Sequence, residues 1–202
     1  FSLAITLPRA GNLGGGGFML VYIKEKDELF YIDYRSQSPR NASIEKLLGV
    51  KQVPDRDSKL WNRVDYTYLA SGIPGTVYGL LEAHKNFGQL ELNKIMQPVI
   101  EQAENGIIVS KDLSYVIEVT PQLRSDKESF SIYFNDGNPL KEFSVFKRPD
   151  LANTFKQIAK NGVKGFYEGD VADKIVNAMN LNNGLITHED LRNYKSFFRM
   201  PI

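Results

Sequence analysis

The sequence predicts a helix-rich α/β chain with one buried β-hairpin, the main sheets of its fold being largely missing. Three observations lead there. Phe18-Met19-Leu20-Val21-Tyr22-Ile23 and Leu29-Phe30-Tyr31-Ile32 flank the charged Lys24-Glu25-Lys26-Asp27-Glu28, a pattern of two antiparallel strands covered on both faces. Most of the remaining chain repeats apolar residues at helical spacing. A lone hairpin is marginal and leaves its outer edges unpaired, so further strands are expected outside these residues.

The elements follow in order. Phe1 to Leu7 reads as the end of a structural element. Gly11 to Gly17 forms a glycine loop feeding the first strand, and the second strand continues through Asp33-Tyr34-Arg35. Ser36-Gln37-Ser38-Pro39 turns the chain away, because proline cannot continue a ladder. Asn41 to Gly49 predicts a short helix closed by glycine. The polar, aperiodic stretch from Gln52 to Tyr66 is a surface loop, anchored by Trp61, the only tryptophan.

Pro74 suits the first position of a helix, where its missing N–H costs nothing, and Gly88 closes that helix. Leu92 to Ala103 predicts a second amphipathic helix, kinked at Pro98, ended by Asn105-Gly106 and antiparallel to the first. Ser110 caps a helix carrying Leu113, Val116 and Ile117, and Pro121 starts a further turn. Phe130 to Phe134 fits either a short strand or an aromatic helical turn. Helices start at Pro149 and Gly169, and Thr187 caps a last one with Glu189 and Asp190 in its first turn. Residues 1–202 read as a single partial domain, without repeats, linkers or low-complexity tracts.

Composition narrows the function. The 202 residues carry a net charge of +1 and 42% apolar residues, with basic residues scattered, so nothing marks a disordered, membrane-spanning or nucleic-acid-binding chain. No cysteine is present, which excludes disulfides, thiolate metal sites and a cysteine nucleophile. The four glycines Gly14 to Gly17 precede a strand instead of linking a strand to a helix, and no Gly-Lys-Ser/Thr follows, so a phosphate cradle is not indicated. They instead let the chain pass close to another backbone with unusual dihedrals.

Pro8 to Leu20, Pro-Arg-Ala-Gly-Asn-Leu-Gly-Gly-Gly-Gly-Phe-Met-Leu, resembles the signature of the gamma-glutamyltranspeptidase large subunit. Asp33-Tyr34-Arg35 is similar to the family's Asp-aromatic-Arg. Leu69 to Gly79 resembles its Ser-Gly-x-Pro-Gly helix start, and Gly184 to Leu191 with Tyr194 resembles its Gly-Leu-Ile-Thr-x-Glu-Asp-Leu segment. Four blocks in order over nearly the whole chain make the resemblance specific. It implies the helix-rich part of an N-terminal nucleophile hydrolase αββα sandwich, truncated at both ends, with Phe1 to Leu7 the last turns of a longer helix.

The resemblance also implies chemistry. In the family a self-cleaving precursor frees a threonine whose hydroxyl attacks a γ-glutamyl amide such as that of glutathione, its own amine serving as base. Water, an amino acid or a peptide then takes the glutamyl group from the acyl-threonine. No threonine here lies in anything like the processing-site sequence, so no catalytic residue is assigned; Thr6, Thr67, Thr76, Thr120, Thr154 and Thr187 have structural readings. The expected partner is the small subunit of the same precursor, which supplies nucleophile and oxyanion donors. No cofactor, metal, nucleic acid or membrane segment is expected, and the family suggests a periplasmic or secreted protein. The chain alone is expected to be inactive.

Arg35 is the one substrate-binding candidate. In the family the matching arginine holds the α-carboxylate of the γ-glutamyl group, a task suited to a planar guanidinium fork. The competing reading is a salt bridge with Asp33, which strand alternation puts on the same face, or with another acid. His84 lies on the inner face of a helix and reads as a packing residue, while His188-Glu189-Asp190 are consecutive and point apart. Ser36-Gln37-Ser38 departs from the family's common Arg-Glu-x-Ala-Pro and supports one alternative, a related acylase for cephalosporins or poly-γ-glutamate; a separate alternative is a stand-alone, non-catalytic scaffold.

Overall fold

The computed structural model describes residues 1–48 and 67–200. The loop expected at Gln52 to Tyr66, its anchor Trp61 and the closing Gly49 lie outside them. In chain order the elements are α1 (Leu3–Thr6), α2 (Pro8–Gly11), β1 (Gly17–Ile23), β2 (Glu28–Tyr34), α3 (Ile44–Leu48), α4 (Thr76–Phe87) and α5 (Leu92–Asn105). There follow β3 (Ile107–Ile108), α6 (Lys111–Glu118), α7 (Lys127–Tyr133), β4 (Phe134–Asn135), β5 (Asn138–Pro139), β6 (Val145–Phe146) and α8 (Pro149–Asn161). The last are α9 (Lys164–Tyr167), α10 (Gly169–Leu181), α11 (His188–Asn193) and β7 (Phe197–Arg199). Two compact units result, Phe1–Asn12 with Glu91–Ala159, and Leu13–Leu90 with Lys160–Ile202.

In the first unit α5 buries Met96, Val99, Ile100 and Ala103 along one face and runs on through an exposed Pro98. Gly106 ends it at φ +93, a left-handed conformation that a side chain would strain, and its N–H closes the last turn on Gln102 O. The Ser110 hydroxyl accepts the Leu113 N–H at 3.2 Å and caps α6 as expected. The aromatic run is helical: Asp126 accepts the Ser129 N–H at 2.7 Å to start α7, and Phe134 leaves the helix into β4 while stacking on Phe130. Val109, Leu113, Ile117, Phe134 and Phe146 form a buried cluster there. In α8 the buried residues are Ala152, Phe155 and Ile158, and Phe1 meets Phe155 edge-on.

The second unit is built around the hairpin. β1 and β2 pair antiparallel from Gly17 opposite Tyr34 to Ile23 opposite Glu28. A third strand unanticipated from the sequence, β7, pairs with the other edge of β2, giving the order β1-β2-β7. One face carries Met19 and Val21 beside Phe30 and Ile32 and is covered by α4, with Phe30 against Phe87 at 5.0 Å. The other face differs from the two-sided burial expected. Phe18, Leu20 and Tyr22 are 56%, 65% and 57% exposed. The burial alternates with the two-residue period of a strand even though the residue types do not.

α4 starts at Thr76, two residues later than Pro74 suggested. The Tyr167 hydroxyl donates to the Pro74 carbonyl at 2.8 Å, and the N–H groups of Gly75 and Thr76 both donate to Gly15 O, at 2.7 and 3.0 Å. Gly75 is therefore the N-cap, and the helix begins after it. Ala172, Val176 and Met179 of α10 are buried, as are Ile186 and Leu191.

Candidate functional site

The glycine loop, the end of β2, the start of α4 and the segment after α11 meet around Arg35. Gly16 packs directly on the backbone of Tyr34-Arg35-Ser36: a Cβ there would lie 2.4 Å from Ser36 N, 2.5 Å from Tyr34 O and 2.8 Å from the Arg35 carbonyl carbon. This is the close passage expected of the glycines. It does not use unusual dihedrals, since none of Gly14 to Gly17 has a positive φ. Gly75 and Gly79 make the same kind of contact from the helix side. A Cβ on Gly75 would lie 2.0 Å from Tyr34 O and 2.2 Å from the Tyr194 hydroxyl, and one on Gly79 would enter the Tyr34 side chain. Past the strand, Gln37 and Ile73 exchange backbone hydrogen bonds at 2.7 and 3.2 Å.

Arg35 follows β2 directly and its side chain is exposed. The salt bridge with Asp33 does not form. Asp33 Oδ2 accepts Arg199 Nε at 2.7 Å, and Oδ1 accepts the backbone N–H of Arg35 at 3.1 Å. Among the described residues the Arg35 guanidinium has no ion-pair partner, and it sits 5.9 Å from the centre of the Phe18 ring. Partial burial pushes the Asp33 carboxyl up, but the Arg35 N–H and the Arg199 and Arg35 guanidiniums outweigh it and hold it below the usual carboxylate range.

Behind Arg35 stands a group of three tyrosines. Tyr194, 1% exposed, donates its hydroxyl to Arg35 O at 2.9 Å. Its ring stacks on Tyr167 at 5.7 Å with the planes 7° apart, and Tyr78 meets both edge-on. The Tyr167 hydroxyl also accepts the Tyr78 N–H at 3.2 Å. Burial pushes the Tyr194 hydroxyl up to about 12, with the Asp33 charge and Tyr78 adding to it, so it remains a donor at neutral pH. Burial raises Tyr167 further still.

The other singled-out residues take structural roles. His84 Nε2 bonds Leu90 O at 2.7 Å, bracing the turn after α4. His188 reaches Asp173 at 2.8 Å, Glu189 reaches Arg40 at 2.6 Å, and Asp190 turns inward, so the three neighbours diverge. Asp190, 7% exposed, closes a capping box with Thr187 and accepts the Arg40 N–H at 3.0 Å. Burial pushes its carboxyl up, and the Arg40 N–H and the Thr187 hydroxyl and N–H outweigh that and lower it. Thr6, Thr120 and Thr154 return their hydroxyls to carbonyls four residues back. Sequence reasoning missed β7 and the grip of Tyr194 on Arg35. The hints were the adjacent pair Phe197-Phe198 for the strand and the place of Tyr194 in the last family-like block for the grip.

Known proteins carry the same pattern. The sequence model of the gamma-glutamyltranspeptidase family matches residues 1–202. The glutathione hydrolase proenzyme of Escherichia coli is 39% identical over 207 residues, covering 100% of this chain and 34% of its own length. The capsule biosynthesis protein CapD proenzyme of Bacillus anthracis is 32% identical over 203 residues, again covering 100% of this chain and 33% of its own length. Among solved structures, gamma-glutamyltranspeptidase from Helicobacter pylori superposes with a TM-score of 0.89 at 34% identity, covering 100% of this chain and 56% of that one. The chain thus spans about a third of the length of the curated relatives it matches. With a family match from the first residue to the last and the same backbone course, this chain belongs to the gamma-glutamyltranspeptidase family.

Proposed function

We propose that these residues form the substrate-gripping part of the large subunit of a gamma-glutamyltranspeptidase, and that Arg35 holds the α-carboxylate of a γ-glutamyl compound such as glutathione. The observation that carries this reading is an arginine fixed by its backbone while its guanidinium stands exposed and without an ion pair among the described residues. A guanidinium so held offers two parallel N–H donors to a carboxylate, a pairing with both charge and directional specificity. The contact orients the substrate and breaks no bond.

The bond-breaking groups belong, on this reading, to the small subunit of the same precursor. Its N-terminal threonine attacks the γ-amide carbon, the threonine's amine takes the hydroxyl proton, and the leaving amine departs protonated. The acyl-threonine is then opened by water, an amino acid or a peptide, regenerating the hydroxyl. Backbone donors stabilise the oxyanion in each step. The two subunits complete an αββα sandwich, whose missing strands cover the exposed Phe18, Leu20 and Tyr22. The 202 residues alone are inactive, and the family's habit supports a periplasmic or secreted site of action. No helix among the described residues is long and apolar enough to cross a membrane.

Arg35→Ala in the full-length, self-processed protein tests the assignment. The expected result is a KM for a γ-glutamyl amide raised at least tenfold, in keeping with the loss of about 1.5–3 kcal/mol for a hydrogen bond to a charged group, with processing intact. An unchanged KM overturns it. A second reading is supported by the CapD relative and by Ser36 in place of the family's common acid: a capsule-type enzyme acting on poly-γ-glutamate. Comparing rates on glutathione and on poly-γ-glutamate separates the two.

A further inference from the structure

Arg35 lies beyond both strand ladders, since β1 pairs as far as Tyr34 and β7 only as far as Asp33. Its backbone groups are satisfied by side chains instead. The N–H donates to Asp33 Oδ1 at 3.1 Å, and the carbonyl accepts the Tyr194 hydroxyl at 2.9 Å. Each of these side chains is itself fixed. Tyr194 is buried and stacked on Tyr167, and Asp33 is held by Arg199 Nε at 2.7 Å. Tyr194 follows α11 and Arg199 ends β7, so the one stretch from the close of that helix through the strand secures Arg35 at its amide and at its carbonyl.

We propose that Tyr194 and Arg199 are positioning residues for Arg35, Tyr194 acting on its carbonyl and Arg199 acting through Asp33 on its N–H, so that the guanidinium faces a substrate carboxylate. The proposal rests on the reading of Arg35 given above. An arginine side chain reaches about 7 Å from its backbone, so a small rotation of the peptide sweeps the fork through several ångströms and spoils the paired geometry. Holding the peptide is the economical place to restrain it, because the side chain stays free to meet its ligand. The effect belongs to carboxylate binding and leaves the acyl chemistry alone.

The test uses the full-length, self-processed protein with two probes, a γ-glutamyl amide and the matching 4-aminobutyryl amide, which lacks the α-carboxylate. Tyr194→Phe keeps the ring and removes the hydroxyl. It is expected to raise KM for the γ-glutamyl amide about fivefold, to leave kcat within about twofold and to change little with the second probe. Combined with Arg35→Ala it should add nothing, because the group it positions is gone. Arg199→Gln should behave alike and serves if Tyr194→Phe does not fold.

Ser196→Ala is the control in the same segment, as the Ser196 hydroxyl is buried and has no hydrogen-bond partner among the described residues. An equal rise in KM from Ser196→Ala, or a Tyr194→Phe effect undiminished beside Arg35→Ala, overturns the proposal by making the segment's role one of general packing. If Arg35→Ala raises KM while Tyr194→Phe and Arg199→Gln do not, the positioning role fails and the Arg35 reading stands. If Arg35→Ala itself leaves KM unchanged, both fall.

Discussion

Gly16→Ala puts the packing around Arg35 to a direct steric test. The added methyl would sit 2.4 Å from Ser36 N, 2.5 Å from Tyr34 O and 2.8 Å from the Arg35 carbonyl carbon, where ordinary contact begins at 3.4 Å. All three are backbone atoms, so no side chain can swing aside, and the two segments must separate by about 1 Å. Overpacking of this kind costs about 1–3 kcal/mol. The displacement falls on the peptide that carries Arg35, and a misplacement of about 1 Å can lower a rate by up to about 100-fold. In the full-length protein kcat/KM for a γ-glutamyl amide should fall about ten- to a hundredfold, chiefly through KM, and the apparent Tm should drop by several degrees. Gly137→Ala is the comparison: at φ +78 with nothing within 4 Å it costs about 1 kcal/mol of backbone strain, and KM should not move. A Gly16→Ala protein with unchanged KM and Tm would refute the argument for close packing.

Two further outcomes are expected. Asp190→Ala leaves the N–H groups of Arg40 and Thr187 without their acceptor and removes the Asp190 half of the capping box on α11, while the Thr187 hydroxyl still caps the helix, at a cost of about 2–4 kcal/mol; thermal denaturation should show a large loss for Ala and a smaller one for Asn, and equal stability of all three proteins would contradict it. Stability should also respond to pH at both ends. Asp33 and Asp190 are lowered in the folded state, so their contribution is full above the unfolded value of about 3.9 and is lost as pH falls below it toward the folded values. Tyr194 is raised to about 12, so its contribution is full below about 10 and is lost as pH rises from there. Apparent Tm measured across pH should show both slopes, and the Tyr194→Phe protein should have a weaker alkaline one.

The sequence alone determined the elements whose cause is local. Apolar spacing located α5, α8 and α10, with Gly106 ending the first and Gly169 starting the last, Ser110 and Thr187 announced their caps, and the paired apolar runs announced the hairpin, because each depends on residues within a few positions of one another. It also carried the family resemblance that the match over residues 1–202 bears out, and offered Arg35 as a candidate. Tertiary structure decided the rest. β7 is three residues long and without alternation, so it becomes a strand only because β2 offers an open edge. Asp33 was available in sequence to Arg35 and to Arg199 alike, and sheet pairing brought Arg199 beside it. The grip of Tyr194 on Arg35 joins residues 159 apart, a contact that no local pattern encodes and that exists only once the chain has closed around its glycines.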